Sequence, residues 1–243
     1  MIIKTQKQFD DLITEINQQN SIAVDTEFYW MRTYYPELCL IQIATNQGCY
    51  AIDTLDDYIE YSALGNIFEN TNIEKVMHSG ANDIPIIKRF LDCDVQNVFD
   101  TQVATTFLGY QNQLSLKAVL KDKLDIDLEK EAQFSDWRKR PLSDKQEVYA
   151  LNDVKYLLEL KDILRNELKQ NKNLDYFTAE MDIVLKTEFT TIENAHIKVG
   201  NIQKFSPRTQ QNIILLARWR EARSQKRDKP IRYTFDNKIL FKI

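Results

Sequence analysis

The chain is poor in the residues that staple or ligate small folds. Its 243 residues hold three cysteines, Cys39, Cys49 and Cys93, with no CxxC pair. Their odd number and apolar neighbours, in CLIQIA and GCYAI, argue for reduced, buried thiols in a cytoplasmic protein rather than a disulfide framework. Only two histidines occur, His78 and His196, far apart, which argues against a structural zinc site. No apolar run approaches the roughly 18 residues that cross a bilayer. MIIKTQKQFDDLI also lacks the basic, apolar and small-residue regions of a secretory signal, so no membrane partner is expected. Glycine is scarce at five residues. One of them, Gly200, lies in NAHIKVGNIQKFS, a stretch with few large apolar side chains that reads as a linker. The composition that remains, 43% hydrophobic and 28% charged, is that of an ordinary globular chain, long enough for one large domain or one domain with a smaller piece.

The charge is unevenly spread. Residues 196–243 carry twelve Lys/Arg and three Asp/Glu, a net of +9; the rest of the chain's 32 basic and 36 acidic residues give 1–195 a net of -13. An acidic front joined to a basic tail suits a metal-dependent catalytic domain followed by a polyanion-binding element, although a tail that is merely solvated has the same charge. The expected division is 1–195 and 196–243.

Periodicity gives a coarse map. Ser21–Glu27, Leu38–Ala44 and Cys49–Ile52 read as three strands of a meander, the last two joined by the turn signal Asn46-Gln47-Gly48. Strands Lys75–His78 and Asn97–Asp100 follow, interleaved with helices at 59–70, 81–91 and 101–108. Further helices are expected at 115–124, 144–170 and 176–195. Ser206-Pro207 opens another, with Ser206 as N-cap, and Ile213, Leu216 and Trp219 would line one face of it. Strands first, then strands alternating with helices, predict an α/β fold: a mixed sheet flanked by helices, followed by a short all-helical segment.

Four carboxylates stand out against this map: Asp25 and Glu27 in SIAVDTEF, Asp83 in HSGANDI and Asp153 in YALNDV. Residues two apart on a strand share a face, roughly 6–7 Å apart along the backbone. Tyr149 and Asp153, four apart on a helix, also share a face. Asp83 opens a helix, whose dipole tolerates its charge. Buried together without basic partners, such carboxylates are costly unless cations lie between them. Hard divalent ions, Mg²⁺ or Mn²⁺, prefer oxygen ligands, so two-metal phosphodiester cleavage is the expected chemistry. A tyrosine with an ordinary pKa near 10 would orient the attacking water rather than take its proton. Each acid alone has a plainer reading, as a strand end, a first-turn residue or a solvated helix face.

DTEF, HSGANDI and QFSDWRKRPLSDKQEVYALNDV, in that order, resemble the three motifs of the DEDD superfamily of exonucleases, in the subclass that carries tyrosine at the position of Tyr149. The third run resembles the ribonuclease D family. This resemblance covers residues 1 to about 195. It implies a ribonuclease H-like fold, catalytic residues Asp25, Glu27, Asp83, Tyr149 and Asp153, and two divalent metals on the four acids. The implied activity is 3′→5′ hydrolysis of RNA to nucleoside 5′-monophosphates, with tRNA precursors and their single-stranded 3′ ends as typical substrates and a monomer as the expected state. Asn82 stands where the family commonly has an acid, and Leu151 where it has alanine; neither removes a ligand. Residues 202–243, with WRE and RDKP, resemble the first half of an HRDC module, a helical nucleic-acid-binding unit. A half-module of about 40 residues does not easily bury a core of its own. Two rival functions remain: a DNA-directed exonuclease of the same fold, since the motifs do not read the sugar, and a catalytically weak nucleic-acid-binding protein.

Five further residues are candidates for substrate contact. Phe28 follows Glu27 and can wedge against terminal bases. Gln42 is polar in mid-strand and faces either a groove or a neighbouring backbone. His78 more plausibly ends a strand and bonds locally. Trp137 and Arg138 can stack on or pair with a strand of RNA, or fill the core. The aromatic loop Tyr29, Trp30, Tyr34 and Tyr35, with Arg32, is either a stacking surface or a small core of its own.

Overall fold

The computed structural model describes residues 1–55, 59–110, 113–128 and 135–242. The chain divides into two compact units, one of Met1–Phe28 with Leu38–Thr187 and one of Tyr29–Glu37 with Glu188–Ile243.

The first unit is built on a six-stranded sheet of β1 (Ile2–Ile3), β2 (Ser21–Tyr29), β3 (Glu37–Ala44), β4 (Cys49–Asp53), β5 (Glu74–Met77) and β6 (Val98–Asp100), in the order β1-β4-β3-β2-β5-β6. β3 and β4 pair antiparallel, with Gln42 opposite Ala51; β1 with β4, β2 with β5 and β5 with β6 pair parallel. It is the mixed α/β sheet that the pattern predicts. Its central strands are buried on both faces, and Ile22, Ala23, Val24, Leu40, Ile41 and Ile43 have no solvent exposure. β1 and the helix after it, α1 (Gln6–Ile16), have no counterpart in the expected map. The sequence nevertheless carries a signal for the helix. Thr5 and Gln8 form a capping box, each side chain bonded to the other's backbone N–H at 3.3 and 3.2 Å, and Phe9, Leu12 and Ile16 make the buried stripe.

The remaining helices are α2 (Ser62–Glu69), α3 (Asp83–Leu91), α4 (Thr101–Phe107), α5 (Leu116–Leu124), α6 (Asp144–Lys155), α7 (Leu157–Gln170) and α8 (Leu174–Val184). Two differ from expectation. The single helix expected over 144–170 is two, broken at Tyr156. The buried positions Ala150, Val154, Leu157, Leu160, Leu164 and Leu168 keep three- and four-residue spacing through the break, so periodicity hides it. The helix expected to reach Ala195 stops at Val184, where the Thr-rich run Thr187–Thr191 begins to favour irregular backbone.

In the second unit, α9 (Pro207–Arg227) starts as expected, with the Ser206 hydroxyl accepting from Thr209 N–H at 3.3 Å and Pro207 in the first turn. The face it buries includes Ile213 and, partly, Leu216 as expected but not Trp219. Ile213, Ala217, Arg220, Glu221 and Ser224 are buried, while Trp219 is 51% exposed. Two charged residues on the inner face disguise the stripe. The segment expected to be a linker forms a 3₁₀ turn, Ala195–Val199. Together with Ile213, Ala217 and Leu240 of the last short helix, α10 (Asn237–Leu240), Ala195 and Val199 make a small core.

The aromatic loop belongs to this unit. Tyr34 is 8% exposed; its hydroxyl donates to Glu221 and its N–H to Asp228 at 2.9 Å. Trp30 and Tyr35 pack edge-on to Phe189 at 6.4 and 5.4 Å. The small core of Ala195, Val199, Ile213, Ala217 and Leu240 is made by the C-terminal segment itself, and residues 29–37 add a second set of contacts to that unit through Trp30, Tyr34 and Tyr35.

Candidate active site

β2 carries Val24-Asp25-Thr26-Glu27 in its second half. Alternation sends Val24 and Thr26 to one face, and Asp25 and Glu27 to the other. α6 is capped by Ser143, whose hydroxyl accepts from Gln146 N–H at 3.3 Å while Gln146 Oε1 accepts from Ser143 N–H at 3.1 Å. That capping box fixes the phase of the helix, and Tyr149 and Asp153 follow on a common face. One ligand oxygen from each of Asp25, Glu27 and Asp153 lies within 4.8 Å of the others. Tyr149 lies close enough to Asp153 for the two to influence each other's ionisation.

Asp83 is not in that group of three but lies beside it. It is 7% exposed, opens α3 and accepts a hydrogen bond from the Thr26 hydroxyl. The turn that presents it is built by Asp100, whose carboxylate accepts from Ser79 N–H at 3.0 Å and Gly80 N–H at 2.7 Å. Ser79 adopts φ 64°, the left-handed region that side chains rarely enter. At Gly80 a Cβ would meet Met77 Sδ at 2.9 Å, so any larger residue there would have to displace the Met77 side chain.

The electrostatics follow from crowding. Burial, then the neighbouring Asp83, Asp153 and Glu27, hold the Asp25 carboxyl well above the usual carboxylate range. Burial, followed by Asp153 and Asp83, pushes Glu27 up to about 9. Burial raises Asp153 to about 7, opposed by the Tyr149 hydroxyl, and Asp83 to about 6, opposed by the Thr26 hydroxyl. Burial and the same carboxylates raise the Tyr149 phenol as well. Among the described residues no Lys or Arg forms an ion pair with any of these four acids. Clustered oxygen donors that resist ionising, with no protein cation to balance them, fit hard divalent ions.

The other candidate residues fall into three places. Phe28 is half-buried at the end of β2. Gln42 is fully buried in β3, and neither its amide oxygen nor its nitrogen has a partner. His78 is engaged at both ring nitrogens, with Thr101 Oγ1 at 2.9 Å and Leu114 O at 3.0 Å, and burial lowers its pKa. Trp137 is 2% exposed and packs 6.1 Å from the Tyr149 ring; with that exposure it offers no open face for stacking. Arg138 forms a bidentate pair with Asp136, both contacts 2.9 Å. Gln133 and Phe134, which begin the third motif, lie outside the described residues.

Three further residues escape the sequence reading. Thr26 sits between the two acids of DTEF and orients Asp83. Asp100 builds the turn before Asp83. Arg140 anchors the loop that carries Trp137: its guanidinium bonds Asp53 at 2.5 and 2.6 Å, Cys39 O at 3.0 Å and Trp137 O at 2.7 Å. The one sequence signal for Arg140 is its place in RKRP, where three basic residues look interchangeable.

With this geometry in view, similarity to known proteins becomes specific. A 3′-5′ exonuclease family model matches residues 1–169. Ribonuclease D of Desulfotalea psychrophila is 32% identical over 100% of this chain and 66% of its own length; that of Bartonella henselae is 31% identical over 95% and 57%. The crystal structure of Escherichia coli RNase D superposes with a TM-score of 0.90 at 28% identity, over 99% of this chain and 64% of that one. The chain therefore spans roughly three fifths of the length of such relatives. The matched region contains Asp25, Glu27, Asp83, Tyr149 and Asp153, and the chain belongs to the 3′-5′ exonuclease family.

Proposed function

We propose that this chain is a metal-dependent 3′→5′ exoribonuclease. It would act as a monomer in the cytoplasm, releasing nucleoside 5′-monophosphates from RNA 3′ ends, tRNA precursors among them. The observation that carries the reading is the convergence of Asp25, Glu27 and Asp153 from two elements, with Tyr149 one turn before Asp153. The shared name of the curated relatives, ribonuclease D, supports RNA as the polymer.

Asp25, Glu27, Asp153 and Asp83 would hold two ions, Mg²⁺ or Mn²⁺, which when bound supply charge neutralisation at the scissile phosphate and activation of water. The protein's own groups do the positioning. The Tyr149 phenol stays protonated at any physiological pH, since burial and the neighbouring acids raise its pKa; it orients the attacking water by hydrogen bonding and is not the base. Thr26 holds the Asp83 carboxylate in one orientation by donating to it. Trp137 backs the Tyr149 ring. Phe28, next to Glu27, would meet the terminal base, and Gln42, His78 and Arg138 would support the groove. In this reading residues 1–195 carry catalysis, and the basic residues 196–243 draw in the polyanion as a partial HRDC-like segment.

Time courses on 3′-labelled RNA and DNA of one sequence test the reading. Faster stepwise release of mononucleotides from RNA is expected. Equal rates would point to a nuclease without sugar preference, and binding without hydrolysis under saturating Mn²⁺ would point to a nucleic-acid-binding protein.

A further inference from the structure

The second unit contains a cleft that shares no residue with the carboxylate cluster. It has a volume of about 430 Å³, and Trp30, Thr33, Lys198, Glu221 and Arg232 help to line it. A second cleft of about 430 Å³ shares Lys198, Glu221 and Arg232 and adds Arg220. Three features of this lining bear on what it can hold.

The first is an open aromatic ring. Trp30 is 51% exposed, yet its indole N–H donates to Tyr34 O at 2.8 Å, so the ring is held in place while it remains exposed. A held ring loses little entropy when a planar group stacks on it. The second is charge. In the first cleft Lys198 and Arg232 face a single acid, Glu221, whose carboxylate already accepts from Tyr34 and lies beside Arg220; the second cleft adds Asp236 and Lys238, and Arg232 Nη2 also donates to Met31 O at 2.9 Å. The third is unmet hydrogen bonding. In the second cleft Arg220 is 3% exposed; its Nη1 donates to Asn237 Oδ1 at 2.9 Å and Phe235 O at 3.2 Å, but its Nε–H has no acceptor. The Thr33 hydroxyl is buried and also lacks a partner. Buried donors without acceptors are costly, and these two lie in the walls of the clefts rather than on their open surface.

A planar ring and a multivalent oxyanion together describe a nucleoside phosphate. We propose that this cleft is a nucleoside-phosphate site, with the base against Trp30 and the phosphate on Lys198 and Arg232. A free mononucleotide and a nucleotide within an RNA strand share that chemistry. The site does not depend on the catalytic reading, because none of the four carboxylates contributes to it.

The test is titration of the full chain with uridine 5′-monophosphate in EDTA, followed by calorimetry and by quenching of tryptophan fluorescence. Saturable binding with quenching is expected. Lys198 is exposed, so Lys198→Glu should leave the fold intact and weaken binding roughly tenfold or more; Trp30→Ala should weaken it by a similar factor and abolish the quenching. Asp25→Asn should leave the binding unchanged, which separates this site from the carboxylate cluster. Absence of saturable binding would overturn the proposal, as would binding that is lost in Asp25→Asn but kept in Lys198→Glu. Inorganic phosphate binding as tightly as the nucleotide would overturn the base contact. A hexauridylate that displaces the mononucleotide identifies an RNA strand as the source of the ligand; failure to displace it identifies the free mononucleotide.

Discussion

Replacing Arg140 with alanine should damage both stability and activity. The Arg140 side chain is 26% exposed and that of Asp53 only 9%, so the pair is mostly desolvated. Removing one member of a buried pair costs about 3–5 kcal/mol, because the remaining charge is left without a partner. Partial exposure of the guanidinium lowers that to about 2–3 kcal/mol. The carbonyls of Cys39 and Trp137 also lose a donor. For a chain of this size 1 kcal/mol shifts Tm by about 2–4 °C, so thermal unfolding should move down by roughly 4–12 °C. Because the same guanidinium holds the loop bearing Trp137, and Trp137 backs Tyr149, kcat on a short RNA should fall on the order of tenfold or more, with KM little changed. Arg140→Met combined with Asp53→Leu removes both charges and should recover much of the lost stability. A shift below 2 °C for Arg140→Ala, or strictly additive effects in the double variant, would refute the claim that this pair anchors the loop.

Two further outcomes follow from the same reasoning. Folding raises the Glu27 pKa from 4.5 to about 9, so in EDTA the folded state holds a proton that the unfolded state gives up. This contribution to stability is complete below about pH 4.5 and is lost as pH rises toward 9. Metal-free protein should therefore lose Tm between pH 5 and 9. Asp25→Asn, which removes a carboxyl that burial and its neighbours keep from ionising in the folded state, should raise Tm at pH 8, and a lower Tm there would contradict the crowded-carboxylate account. Tyr34→Phe deprives the buried Glu221 of its donor and should destabilise the C-terminal unit by about 1–3 kcal/mol in urea unfolding; no measurable change would mean that the loop does not contribute to that core.

How much of the site is legible in the sequence depends on distance along the chain. Asp25 with Glu27, and Tyr149 with Asp153, are local pairs whose common face follows from strand and helix periods. That Asp153 reaches Asp25 is a tertiary fact, predictable only through the resemblance of the ordered motifs. Arg140 and Asp100 were hidden because their partners, Asp53 and the Ser79-Gly80 turn, are 87 and about 20 residues away. Trp137 was ambiguous because an indole suits a core as well as a base, and only its burial decides between them. The break at Tyr156 was invisible because the apolar stripe runs through it. The role of the aromatic loop was open for a similar reason: nothing near residues 29–37 shows that Glu221 and Asp228, almost 200 residues later, will receive Tyr34.

The most direct measurement is release of nucleotides from a 3′-extended RNA by wild type and Asp25→Asn, with Mg²⁺ or Mn²⁺ and with EDTA. The account predicts nucleoside 5′-monophosphates from the 3′ end for wild type with metal, none in EDTA, and none from an Asp25→Asn protein that remains folded. Full activity in Asp25→Asn, or hydrolysis in EDTA, would contradict it.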